Sequence, residues 1–105
     1  MANPWKGDVA LTLDGTRHVM RLTLGSLAEL EDALSEASLL ALVERFEQNR
    51  FSSRDVLALL EAGLRGGKCE VTPDALRAAE IDGGPLEAAK AAAMLLARAF
   101  VVAET

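Results

Sequence analysis

A chain of 105 residues, half of them hydrophobic but with no Tyr, one Trp and three Phe, has the material for one modest core built from Leu and Ala. At this size folding removes roughly two thirds of the extended surface from water. A formal charge of −5 argues against the basic footprint that holds nucleic acid, no run of about 18 apolar residues offers a membrane span, and the single cysteine, Cys69, leaves neither an intrachain disulfide nor a Cys/His metal set. These bounds predict one domain over residues 1–105, mostly helical, with no nucleic-acid or membrane partner. The opening MANPWKGD lacks a basic stretch followed by an apolar run of secretory length, so the expected location is cytoplasmic.

In chain order, the first element is a hairpin over about residues 8–22. Val9, Leu11 and Leu13 alternate with Ala10 and Thr12, Asp14-Gly15 supplies a two-residue turn that tolerates positive φ, and alternation resumes from Thr16. A two-residue turn sets Leu13 opposite Thr16, Leu11 opposite His18 and Val9 opposite Met20 on one face. Asp8 and Arg21 then form a charge pair on the other. The alternation persists to Leu24 and then gives way to helical spacing. Ser26 and Glu29 have capping-box spacing, which predicts a first helix over about residues 27–35 with Leu27, Leu30 and Leu34 as its apolar stripe.

A second helix is expected after Ser38, over about residues 39–48, from Leu39, Leu42, Val43 and Phe46, with Asn49 as its stop. Ser52 and Asp55 repeat the capping-box spacing, and Phe51 stands where a hydrophobic staple to Val56 belongs. The third helix, about residues 53–65, contains VLALL, apolar on nearly every side and therefore expected at the centre. Gly66-Gly67 ends it with residues free to turn left-handed. Thr72, Pro73 and Asp74 read as an N-cap, a first-turn proline and a dipole-compensating acid for a short helix over about residues 73–80. The break DGGP precedes the last helix, about residues 86–102. The predicted fold class is α+β, a two-stranded hairpin packed on about five short helices.

The sequence offers no convergent set of catalytic groups, and no enzyme activity or cofactor is expected. AGLRGGKCE has the Gly-Lys of a phosphate loop, but Ala62 stands where the first Gly is required, Cys69 replaces the Ser or Thr, and a helix precedes it where a strand belongs. His18 has no partner at metal-ligand spacing and reads as a half-buried hairpin residue. Cys69 has no base near it in sequence and reads as an ordinary loop thiol. Glu29, Glu31, Asp32 and Glu36 form a solvated helix face or a docking surface. In the last helix Glu87, Lys90 and Arg98 mark a polar side, yet Met94 and Val101 share the stripe of Glu87. That pattern fits either a covered face or the central core helix of a small bundle.

LTLGSLAELEDAL, then LALVERF, FSSRDVLALLEAGLRGG and a closing Ala-rich helix together resemble the small gene transfer agent proteins of alphaproteobacteria, which are related to the tail-assembly chaperones of long-tailed phages. The similarity runs from the hairpin through the last helix, and its most specific parts are LTLGSLAELE and the helix ending LRGG. It departs at Ser26, where a small residue, often Ala, is expected, and in the polar SEAS between the first two helices.

The resemblance implies a tail-assembly chaperone that binds the tape-measure protein, the tail-tube protein or both, with a possible homo-oligomer. A structural tail-tube or tail-joining subunit is the alternative. A small helix-turn-helix regulator is a remote one, since PDALRAAE offers one Arg against two acids for reading bases. In the chaperone reading the partner contacts fall on the strand edge at Val19 and Arg21 and on the last helix at Met94, Val101 and Val102, because unpaired edges and exposed apolar stripes are what such an adaptor offers a client.

Overall fold

The computed structural model describes residues 8–34 and 39–101, with side-chain surroundings as far as Ala99. Along the chain run β1 (Val9–Leu13), β2 (Thr16–Met20), α1 (Leu24–Leu34), α2 (Leu39–Glu47), α3 (Ser53–Gly66), α4 (Pro73–Ala78) and α5 (Gly84–Val101). Among the described residues this is an α+β arrangement, a two-stranded antiparallel hairpin on five helices. Its centre is α3, which touches α1, α4, α5 and β2, while β1 lies on α5. Leu59, Leu60 and Leu64 of α3 are buried together with Met20, Leu30, Leu42 and Leu95.

Local chemistry explains the hairpin. Asp14 and Gly15 both take positive φ, 49° and 81°, the primed turn whose twist matches that of the strands. The register pairs Val9 with Met20, Leu11 with His18 and Leu13 with Thr16, as a two-residue turn requires. Val9, Leu11, Leu13 and Met20 are buried, and His18 is half-buried beside them. On the other face Arg21 Nε meets Asp8 Oδ1 at 2.7 Å. The strand ends at Met20, however, and the apolar alternation beyond it is not β-structure. Leu24 already belongs to α1 and is 84% exposed.

The start of α1 is a correction to the sequence reading. Thr23, not Ser26, caps the helix: its Oγ1 accepts the Ser26 N–H at 3.1 Å and its carbonyl accepts the Leu27 N–H at 2.9 Å. Ser26 sits buried inside the first turn, its hydroxyl 2.9 Å from Thr23 Oγ1. Glu29 does not close a capping box and reaches Arg65 of α3 instead, at 2.8 Å. The polypeptide has to turn sharply after Arg21, whose N–H is bonded to the Gly63 carbonyl at 2.9 Å, and this pulls the helix start toward the strand.

The capping box of α3 is present as expected, with Asp55 N–H donating to Ser52 Oγ at 3.2 Å and Ser52 N–H donating to Asp55 Oδ2 at 2.9 Å. Phe51 stacks on Phe46 of α2, ring centroids 4.6 Å apart and planes 5° from parallel, so its ring ties α2 to the start of α3.

The other end of α3 departs from expectation. The left-handed residue is Lys68, at φ 61°, while Gly67 has φ −84°. The glycines serve close approach: a Cβ on Gly66 would lie 1.9 Å from the Arg21 carbonyl oxygen, and one on Gly67 would lie 2.1 Å from that of Val19. Strand β2 therefore rests directly on the backbone of α3, and Ser26 fits beneath Gly66, where a Cβ would come within 2.7 Å of its hydroxyl.

Thr72 caps α4 through its hydroxyl, 3.1 Å from the Ala75 N–H, with Pro73 in the first turn. This helix ends at Ala78, two residues short of the expected stop, because the following backbone turns to bond the hairpin. Gly83 and Gly84, at φ 89° and 74°, then turn the chain into α5 ahead of Pro85. One face of α5 is buried through Ala88, Ala91, Ala92, Leu95 and Leu96. Its opposite face, with Glu87, Lys90, Met94 and Ala97, is exposed, so the central helix of the fold is α3 and not α5.

Candidate functional site

Two regions correspond to the expected partner contacts, the hairpin edges and the exposed side of α5. Both outer edges of the hairpin are partly occupied. Along β1, Asp82 N–H donates to the Thr12 carbonyl at 3.1 Å and Asp14 N–H donates to that of Glu80 at 2.8 Å, so Ile81 forms a bridge beside Leu13. The Asp14 carboxylate also accepts the Glu80 N–H at 2.9 Å, and Arg98 of α5 donates to the Asp8 carbonyl. Along β2, besides the Arg21 bond to Gly63, the thiol of Cys69 donates to the Val19 carbonyl at 3.4 Å. The hairpin edge is thus not free at Val19 and Arg21, a correction to the premise of open strand edges: α3 and the turn after it already lie there.

Val19 is half-buried, and the Arg21 guanidinium is raised further in pKa by its hydrogen bond to Asp8. Burial likewise pushes the Cys69 thiol up, which suits a packing residue that donates its proton to a carbonyl.

The side formed by α2 and α5 is different. Only Leu42 of α2 is fully buried. Leu39, Val43 and Phe46 pack half-buried against the core, and the helix is also held by the Phe46–Phe51 stack and by Arg45, whose guanidinium approaches the Asp55 carboxylate at 3.1 and 3.2 Å. Burial pushes the Asp55 carboxyl up, but its hydrogen bonds to Arg45 and to the Ser52 N–H, together with the Arg45 charge, outweigh this and hold it below the ordinary carboxylate range.

Between the two helices lies an open groove of about 470 Å³ lined by Leu40, Val43, Phe46 and Glu47 on α2 and by Ala93, Leu96 and Ala97 on α5. Leu40 is 62% exposed, and Met94, next to Ala93 on α5, is 41% exposed.

Of the expected contact residues, Met94 therefore stands at an exposed apolar surface. Val101 ends α5, and nothing is described of its side chain; Val102 lies outside the described residues, as do Ser38 and Glu36. The α2 side of the groove was not singled out by the sequence, because Val43 and Phe46 belong to the stripe that reads as core. Leu40, apolar yet off that stripe, was the available clue. Among the described residues no group of three or more His, Cys, Asp or Glu is placed to hold a metal, and no helix is long and apolar enough to cross a membrane.

No curated protein and no solved structure matches the chain. The family described as "Phage tail tube protein, GTA-gp10" matches residues 6–101, from before the hairpin to the end of α5. A match over nearly the whole length, on a fold of one hairpin and five helices, shows that the chain belongs to that family and is a phage-like, gene transfer agent tail protein.

Proposed function

We propose that this tail protein acts as an assembly chaperone, binding the tape-measure protein, tail-tube subunits or both before they are incorporated. The observation that carries the reading is the form of the sheet. Two five-residue strands have outer edges met by residues 80–82 at Thr12 and Leu13 on one side and by the turn after α3 at Val19 on the other. A tube wall built from continuous inter-subunit sheets needs long strands with unoccupied edges. An adaptor needs an acidic, soluble body and an exposed apolar surface, and the α2–α5 groove on a chain of formal charge −5 supplies both. Its work is binding, which requires no catalytic group.

The second reading, a tail-tube or tail-joining subunit, is favoured by the family's description as a tail tube protein. Co-expression with the tape-measure protein of the same tail, followed by pull-down and light scattering, separates the two. The chaperone reading expects the tape-measure protein to become soluble only with this chain and to elute in complex with it. Insolubility of that client, together with polymerisation of this chain or its stable incorporation among tube subunits, overturns it in favour of the structural role.

A further inference from the structure

We infer that the groove between α2 and α5 is a docking site for one amphipathic helix of another protein, with Lys or Arg bordering its apolar stripe. The lining is apolar except for Glu47, so it lacks the several convergent polar groups that orient a small ligand. Its walls are two helices. Ala93 and Ala97 are small enough for a third helix backbone to come close, and Phe46, Leu96 and Val43 give its side chains an apolar floor. This is the helix-in-groove mode, read from the partner's side as anchors at i, i+3, i+4 and i+7.

Charge chooses the occupant. Leu40, Val43, Glu44 and Glu47 fall on one stripe of α2, so the groove's apolar wall continues into two carboxylates. Neither Glu44 nor Glu47 has an ion-pair partner among the described residues. Of the two cations of α5, Arg98 donates to the Asp8 carbonyl, so Lys90 stands alone against Glu44 and Glu47 and the rim is acidic on balance. A second copy would bring another chain of charge −5 against that rim and be repelled, whereas a helix with basic residues beside its apolar stripe gains at the same contact.

This inference rests on the assembly reading for the natural source of the helix, while its chemistry can be tested separately. The test uses a synthetic amphipathic peptide of about 18 residues, roughly five helical turns, with a Leu stripe bordered by Lys, and a counterpart in which Glu replaces Lys. Binding is followed by titration and by backbone amide shifts of the full chain. The Lys peptide is expected to bind more tightly, to weaken with salt, and to shift resonances of Val43, Phe46, Ala93 and Ala97. Leu40→Glu, at an exposed position that does not threaten the fold, weakens binding roughly tenfold, and Glu47→Lys weakens it about threefold.

Equal affinity for the two peptides, or shifts confined to another face, overturns the inference. Concentration-dependent dimerisation that Leu40→Glu abolishes also overturns it, by naming a second copy as the occupant. If both variants solubilise the tape-measure protein as well as the unmodified chain does, the groove is not the docking site although the assembly reading stands. If no chain solubilises that client but the Lys peptide seats in the groove, the assembly reading fails and the groove assignment survives.

Discussion

The seam between β2 and α3 and the seam between α2 and α5 are built in opposite ways. At the first, glycines remove every side chain that would hold the two backbones apart, and the Gly63 carbonyl bonds the Arg21 N–H directly. At the second, α2 contributes one fully buried residue and three half-buried ones, and its ring stack and ion pair clamp it to the start of α3 rather than to α5. A protein that must keep its fold while presenting a surface to a partner benefits from separating the two tasks. The rigid seam holds the architecture, and the weakly anchored helix lies beside the exposed groove, as binding elements tend to be drawn from the less stable parts of a structure.

The largest expected effect falls on the rigid seam. Gly67→Ala drives a methyl group into the Val19 carbonyl and Gly66→Ala drives one into that of Arg21, and in both cases the obstacle is backbone that no rotamer change can relieve. Each is expected to destabilise the fold by about 3 kcal/mol or more, read as a drop in the denaturation midpoint. Gly63→Ala meets the Leu95 side chain at 2.7 Å and the Met20 Cβ at 3.1 Å; only the first can swing aside, and the cost is expected to be smaller. If Gly67→Ala leaves the midpoint unchanged, β2 does not rest on the α3 backbone.

Truncating one leucine on each side sharpens the contrast. Leu59→Ala in α3 is expected to cost roughly 2–5 kcal/mol and to lower global stability, because the cavity opens where α3 meets its neighbours. Leu42→Ala removes an equally buried side chain, but the sole fully buried one of α2. It is expected to open α2 locally, so that hydrogen exchange accelerates over residues 39–47 well before the hairpin and α3 lose protection. Uniform acceleration across the chain would show that the two seams unfold as one unit.

The ion pair that clamps α2 to α3 makes the anchoring of α2 sensitive to acid. Asp55 is held below its ordinary pKa in the folded state, so its contribution is fully present above the unfolded value of about 4 and is lost as pH falls through the lower folded value. Asp55→Asn removes the charge partner of Arg45 and half of the capping box together, and is expected to cost about 1–2 kcal/mol near neutral pH. It should also flatten the decline in stability below about pH 4. An acid profile as steep in Asp55→Asn as in the unmodified chain would assign that sensitivity to other carboxylates.

What the sequence made legible follows from how far each interaction reaches. The Asp14-Gly15 turn, the pairing of Asp8 with Arg21, the Ser52–Asp55 box and the Thr72-Pro73 start are set by residues within one turn or one hairpin of each other, and each is found in the structure. The role of Gly66 and Gly67 depends on Val19 and Arg21, dozens of residues earlier, and the ending of α4 depends on the hairpin it turns to meet. Such pairings leave no periodicity to read.

The candidate site was half visible for a related reason. Met94 breaks the polar pattern of its own helix, whereas Val43 and Phe46 obey the pattern of theirs and are recognisable as groove lining only once α5 stands beside them.

The smallest expected effects bear on the first helix, where two equally local signals competed. If Ser26 were the cap and Glu29 its reciprocal partner, losing the Glu29 carboxylate would cost about as much as losing a cap. In the structure Thr23 holds that position, and Glu29 instead meets Arg65 across a gap where both side chains are more than half exposed. Thr23→Ala is therefore expected to cost about 1 kcal/mol, and Glu29→Gln no more than about 0.5 kcal/mol, with even that vanishing in high salt, as befits a solvated ion pair. Ser26→Ala separates the two geometries further. The Ser26 hydroxyl faces Thr23 rather than an orphan helix N–H, so the change trims one oxygen from the tight space beneath Gly66 and should leave the helix start in place. A cost for Ser26→Ala or Glu29→Gln equal to that of Thr23→Ala would move the start of α1 back to Ser26 and detach it from the strand that precedes it.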